Sequence, residues 1–276
     1  MPTIIIHTPT LDAAQRNTLT QTLGVPPVEH TTHFRVTREQ AVNKEELAEL
    51  GRSLGLDINV LPESFAADDV RLLITDMDST LINIECVDEI ADFVGVKPQV
   101  ATITESAMRG EIDFATSLTK RVALLKGLDT SALLRVYEER LQLNPGAEAL
   151  IAGLKMRGIK MALVSGGFTF FTERLKARLD LDFTLANVLA VNDNKLKGSV
   201  VGDIVGAEAK AAFLLQLCGE MNIHPSQAIA MGDGANDLKM LDLAGLGVAY
   251  HAKPKVQAQA DVSLQFRGLD AVLDFL

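Results

Sequence analysis

Cysteine is scarce here: 276 residues contain two, Cys86 and Cys218, and neither forms part of a C-x-x-C pair. That spacing excludes a metal-type cysteine pair, and two reduced, structural thiols in a cytoplasmic protein are the expectation. Positive charge is also short, with 26 Lys and Arg against 36 Asp and Glu and a formal net charge of -10. Such a chain has no basic surface with which to release counterions from nucleic acid. It is also poorly suited to docking on anionic membranes. Long hydrophobic runs are missing, since no stretch reaches the ~18 apolar residues needed to span a bilayer. The opening MPTIIIHTPT lacks the basic start and long apolar segment of a secretory signal. No internal repeat or low-complexity tract occurs.

What remains is an ordinary globular composition, 47% apolar and 22% charged. Its length suits one large domain with a small one, or two of medium size. Residues 3–7, 27–30, 33–37 and 57–61 read as short strands, and 11–23 and 44–54 as helices. That βαββαβ order over residues 1–68 predicts a small α+β domain of ACT or ferredoxin-like type. Packing, dimerisation (a homodimer through this domain) and regulatory amino-acid binding all fit it.

From residue 71 the pattern changes. Apolar strands RLLIT (71–75), KMALV (160–164), AIAM (228–231), LGVA (246–249) and DVSL (261–264) alternate with helical segments near 146–157, 168–179, 207–221 and 235–244. This predicts a doubly wound α/β fold, with a parallel sheet covered on both faces over residues 69–276. Residues 188–201 read as a hairpin around Asn-Asp-Asn. Right-handed crossovers put the strand C-ends on one rim, where ligands bind. The segment 83–142 is too long and too apolar-patterned for a loop, and reads as a helical cap over that rim.

Four clusters follow strands or open helices. Asp76-Met77-Asp78-Ser79-Thr80 follows the first strand, and two carboxylates so close are costly unless a cation or a reaction needs them. Ser165-Gly166-Gly167 can bring backbone N–H groups close to an anion. Lys210 stands near a helix start, and Gly232-Asp233-Gly234-Ala235-Asn236-Asp237 follows AIAM. Each alone has a bland reading as a turn, a cap or a solvated charge. Their joint order is far more specific.

That series, D-x-D-S-T, S-G-G, Lys and G-D-G-x-N-D, resembles the haloacid dehalogenase superfamily of phosphatases. The segments DMDSTLINIECVDEIADFVGV, EIDFATSLTKRVALLKGL, VSGGF and GDGANDLKML resemble its phosphoserine phosphatase family. The likeness covers residues 71 to about 275 and implies a haloacid dehalogenase-like, Rossmann-like core using Mg²⁺. By that resemblance Asp76 is the nucleophile and Asp78 the general acid and base. Asp76, Asp233 and the Asp78 carbonyl would hold the metal. Ser165, Gly166 and Lys210 would hold phosphoryl oxygens, Asn236 would orient the phosphate or a metal-bound water, and Asp237 would fix Lys210 or that water. Glu85 would take the substrate ammonium and Arg121 its carboxylate, with Phe114 and Met108 closing over it. A dianionic phosphate ester and a carboxylate nucleophile repel without a cation, which suits Mg²⁺ and its preference for oxygen ligands.

The sequence departs from the family at Met77, often Phe, and more widely in 203–210, the segment that ends at Lys210. The five histidines, at 7, 30, 33, 224 and 251, receive no role. The competing readings are a phosphatase for another small phosphorylated amino acid or alcohol, a phospho-receiver signalling domain, and a non-catalytic amino-acid sensor. A receiver would lack both the cap and the second aspartate.

Overall fold

The computed structural model describes residues 1–39 and 42–276. Its first part contains β1 (Thr3–Ile6), α1 (Ala13–Leu23), β2 (Val28–Glu29), β3 (Phe34–Thr37), α2 (Lys44–Leu54) and β4 (Ile58–Val60). These strands form an antiparallel sheet in the order β2-β3-β1-β4. Asp12 caps α1 through Gln15, and Asn43 caps α2 through Glu45. Alternation along β1 divides its side chains: Ile4 and Ile6 pack with Leu19, Phe34 and Leu47, whereas Ile5 faces the main core.

The main sheet is built from β5 (Leu72–Thr75), β6 (Lys160–Phe168), β7 (Phe183–Asn192), β8 (Lys195–Val201), β9 (Ala228–Gly232), β10 (Leu246–Tyr250) and β11 (Val262–Leu264). The order is β11-β10-β9-β5-β6-β7-β8, parallel except for the antiparallel edge strand β8. β5 is buried throughout because both faces are covered. Leu73 joins the core beneath α7 (Ala147–Met156) and α8 (Thr169–Leu179), while Leu72 and Ile74 join the core beneath α9 (Ala207–Glu220) and α10 (Leu238–Leu243).

The predicted cap consists of α3 (Cys86–Phe93), α4 (Lys97–Met108), α5 (Phe114–Ala123) and α6 (Ser131–Glu139). Cys86, Ile90, Leu118, Val122 and Val136 are continuous with the core around Leu73 and Met77, so the cap is packed on the sheet domain. Its entry and exit strands pair: Asn83 N–H donates to Gln142 O at 3.0 Å, and Asn144 N–H to Leu81 O at 3.0 Å. Both cysteines are buried and free. No helix among the described residues is long and apolar enough to cross a membrane.

Several boundaries differ from the sequence expectation. The predicted hairpin is present as β7 and β8, paired antiparallel from Val188–Val201 to Asn192–Lys195, but β7 starts earlier, at Phe183, and also pairs with β6. The helix after Asp233 begins at Leu238, because residues 234–237 form turns held by side-chain hydrogen bonds. A helix α11 (Pro254–Gln259) and a 3-10 segment at Leu269–Phe275 were not anticipated.

The small sheet is fastened to the end of the chain by buried polar groups. Asp57 accepts the backbone N–H groups of Gln265, Phe266 and Arg267 at 2.7, 3.0 and 2.9 Å. Asn59 exchanges two hydrogen bonds with the Ser263 backbone. Asp274 accepts from Thr32 at 2.6 Å and pairs with His7 at 2.9 Å. Asp57→Ala should lower the unfolding free energy by about 2 kcal/mol, since three part-buried donors lose one charged acceptor. Urea titration followed by circular dichroism would check it, and an unchanged midpoint would contradict the role given to this carboxylate.

Candidate active site

The C-ends of three adjacent central strands supply the site. The Asp76 N–H donates to Met231 O at 2.9 Å, extending the β5–β9 ladder by one residue and fixing where the carboxylate emerges. The chain then turns sharply, with Ser79 at φ 57°, a left-handed conformation uncommon outside glycine. Asn144 supports the turn by donating to Thr80 O at 2.8 Å and Ile82 O at 3.1 Å. The Ser79 hydroxyl donates to Glu85 at 2.7 Å, and Asp78 accepts from the Cys86 N–H at 3.2 Å.

Lys210 is wholly buried. Its ammonium lies 2.8 Å from Asp76 and 2.7 Å from Asp237. Burial works against its charge, but Asp237 and Asp76 outweigh burial and hold the pKa above the ordinary lysine range. The second Asp237 oxygen accepts the Gly234 N–H at 3.0 Å, and Asp233 accepts from Thr80 at 3.2 Å. Ligand oxygens of Asp76, Asp233 and Asp237 all lie within 4.8 Å of one another, close enough for Asp76 and Asp233 to share one ion.

The electrostatics fit a divalent cation. Burial drives the Asp76 pKa well up, with Asp237 and Asp233 adding to the rise and Lys210 opposing it. Burial, then Asp237, pushes Asp233 up to about 6. One ammonium is too little positive charge for three clustered carboxylates, and the donor set is all oxygen. Asp237 already uses both oxygens on Lys210 and Gly234, so Asp76 and Asp233 are the better side-chain ligands. Asp78 is raised to about 7, first by burial and then by Glu85.

These groups open on a cleft of about 710 Å³ between cap and sheet. Asp76, Asp78, Glu85, Phe114, Arg121, Ser165, Gly166, Asp233 and Asn236 line it, as the sequence reading expects. Lys210 and Asp237 stand behind Asp76 instead of on the wall. The Met108 side chain lies outside the described residues. Ser165 is buried, and its hydroxyl accepts the Gly167 N–H at 2.8 Å. A Cβ on Gly166 would lie 2.6 Å from Phe114 Cζ, and one on Gly167 would lie 2.8 Å from Asp78 Oδ2, so this loop has no room for side chains.

Sequence reasoning missed the supports. Asn187 donates to Gly166 O at 2.9 Å and accepts the Val205 N–H at 2.8 Å, tying the glycine loop to the segment before α9. Thr80 and Ser79 stood inside a recognised motif, but their partners, Asp233 and Glu85, were not foreseen. Lys253 also lines the cleft, and its N–H donates to Asp233 O at 3.3 Å.

The haloacid dehalogenase-like hydrolase family matches residues 70–245. The chain belongs to this family. It is 54% identical to the phosphoserine phosphatase of a Polaromonas species over 229 residues, covering 81% of this chain and 97% of that one. A haloacid dehalogenase family hydrolase from Salmonella enterica superposes with a TM-score of 0.91 at 33% identity, covering 100% of this chain and 98% of that one. A structure described as a phospho-aspartyl intermediate analogue of phosphoserine phosphatase gives 0.71 at 40% identity, covering 75% of this chain and 99% of that one. In this family setting the contact between Phe114 and Gly166 is testable. Gly166→Ala should displace the ring and lower phosphate-ester turnover by roughly tenfold or more. Adding Phe114→Leu should restore part of the loss in the same assay, and no recovery would show that the two positions act independently.

Proposed function

We propose that the chain hydrolyses O-phospho-L-serine to L-serine and phosphate, as the last step of serine biosynthesis in the cytoplasm. The observation that carries this is one cleft holding Asp76 at a strand end, Asp78 with a pKa near neutrality, and Glu85 and Arg121 on the cap side. Phosphoserine presents a phosphate, an ammonium and a carboxylate, and each finds a complementary group there.

Asp76 attacks phosphorus through a carboxylate oxygen, forming an aspartyl-phosphate as the bond to the serine oxygen breaks. Protonated Asp78 gives its proton to that departing oxygen. Asp78 then accepts a proton from water as the water oxygen attacks the same phosphorus, releasing phosphate and restoring Asp76. Mg²⁺, held by Asp76, Asp233 and the Asp78 carbonyl, would offset the negative charge of phosphate and nucleophile together. Ser165 and the Gly166 N–H steady the phosphoryl oxygens, and Asn236 orients the phosphate. Lys210 acts from behind, fixing the Asp76 carboxylate, while Asp237 fixes Lys210 in turn. Residues 1–68 serve as an accessory domain attached to a catalytic domain of 69–276.

A phosphate-release assay over phosphorylated amino acids tests the reading. Asp76→Asn and chelation by EDTA should each reduce phosphoserine turnover, the variant by ~10³-fold or more. Brisk cleavage by the variant would defeat the assignment of the nucleophile.

The proton inventory gives a second test. Asp78 must start protonated for a poor leaving group, and its pKa is raised to about 7. The acid form is therefore present below that value and lost above it. Where chemistry limits the rate, kcat/KM for phosphoserine should decline as pH rises through neutrality. The p-nitrophenyl ester, whose leaving group needs no proton, should lack that limb. Identical profiles for the two esters would remove Asp78 from the acid role.

A further inference from the structure

A buried asparagine is costly in a strand unless its amide finds partners. Asn187 in β7 is 1% exposed, and both ends of its amide meet backbone groups. Nδ2 donates to Gly166 O at 2.9 Å, and Oδ1 accepts the Val205 N–H at 2.8 Å. One partner can only accept and the other can only donate, so the amide has a single orientation. It stands where the β6–β7 ladder breaks. Val164 pairs with Leu185 and Phe168 with Asn187, so β6 takes four steps where β7 takes two. Such a bulge lifts residues out of the ladder and re-aims their side chains. The lifted residues are Ser165, Gly166 and Gly167, and all three line the cleft, whereas Asn187 does not.

The peptide between Gly166 and Gly167 is held at both ends. Its carbonyl accepts from Asn187, and its N–H donates to the Ser165 hydroxyl oxygen at 2.8 Å. The two groups are coplanar, so together these bonds fix the plane. With the Gly167 N–H on its oxygen, the Ser165 hydroxyl still has its one hydrogen to give, and no acceptor takes it among the described residues. We propose that Asn187 is a positioning residue for Ser165: it holds the Gly166–Gly167 peptide, and that peptide turns the Ser165 hydroxyl hydrogen toward a phosphoryl oxygen in the cleft. This rests on Ser165 meeting the phosphate, as the proposed function has it. Asn187 acts through Ser165, so it bears on the phosphate end of the substrate and not on the amino-acid end.

The two products separate those ends. Asn187→Leu keeps the size of the side chain and drops both amide bonds. Its inhibition constant for inorganic phosphate should rise roughly tenfold, the scale of one hydrogen bond to a charged group, while that for L-serine stays within about twofold. The values of kcat/KM for phosphoserine and p-nitrophenyl phosphate should fall by the same factor, because the two esters share only the phosphoryl group. In a double-mutant cycle, the Asn187 change should weaken phosphate by no more than about twofold once Ser165→Ala is present. Asn187→Ser is too short to reach both partners, should weaken phosphate about threefold or more, and carries the test if the leucine variant fails to fold.

An equal weakening of phosphate and L-serine would mean general loosening of the site and would overturn the positioning role. So would additive effects of the two changes, or unaltered phosphate inhibition in both Asn187 variants. If Ser165→Ala weakens phosphate and neither Asn187 variant does, only this inference fails. If Ser165→Ala leaves phosphate inhibition unchanged, the role given to Ser165 fails and takes the inference with it.

Discussion

Lys210 Nζ sits between Asp76 and Asp237 with no exposure to water, and three chain segments meet at that ammonium. Asp76 follows β5, Asp237 precedes α10, and Lys210 lies in the first turn of α9. A buried charge without partners is severely penalised, so each of the three constrains the other two. The lysine therefore does more than offset charge. It holds one oxygen of Asp76 at 2.8 Å and so limits how that carboxylate can turn. Gly234 contributes to the same arrangement by donating its N–H to Asp237, so the turn carrying Asp233 and Asn236 is fixed from beneath.

The cap is tied to the same arrangement. Glu85 and Cys86 are adjacent at the start of α3, one reaching the Ser79 hydroxyl and the other donating its N–H to Asp78. Two consecutive cap residues thus hold the turn that carries Asp78. Phe114 meets the glycine loop so closely that a single methyl group at position 166 would not fit beside the ring as it stands.

The central strands were legible because fully buried parallel strands read as short apolar runs, and catalytic clusters at their ends are local in sequence. Asp76, Asp78 and Asp233 follow strand ends that are local in sequence, so their meeting in one cleft could be expected from the chain alone. Lys210 was less legible because its partners are far away: 27 positions separate it from Asp237. The supports were hidden for the same reason. Asn187 in a strand reads as a surface amide until Gly166 and Val205 are brought to it. His7 gives no hint of Asp274, which lies 267 positions further on. The C-terminal 3-10 segment was missed because its burial comes from packing and from the polar contacts at Asp274, not from helical periodicity.

Asn59 has a consequence for solubility. β11 is an edge of the main sheet, and an open edge offers unpaired backbone groups to any other strand. The Asn59 amide takes up both the N–H and the C=O of Ser263, imitating a neighbouring strand with a single side chain. The small N-terminal sheet therefore works as a stopper on that edge. A chain shortened to begin after it would lose both hydrogen bonds and leave the Ser263 N–H and C=O on the open side of β11.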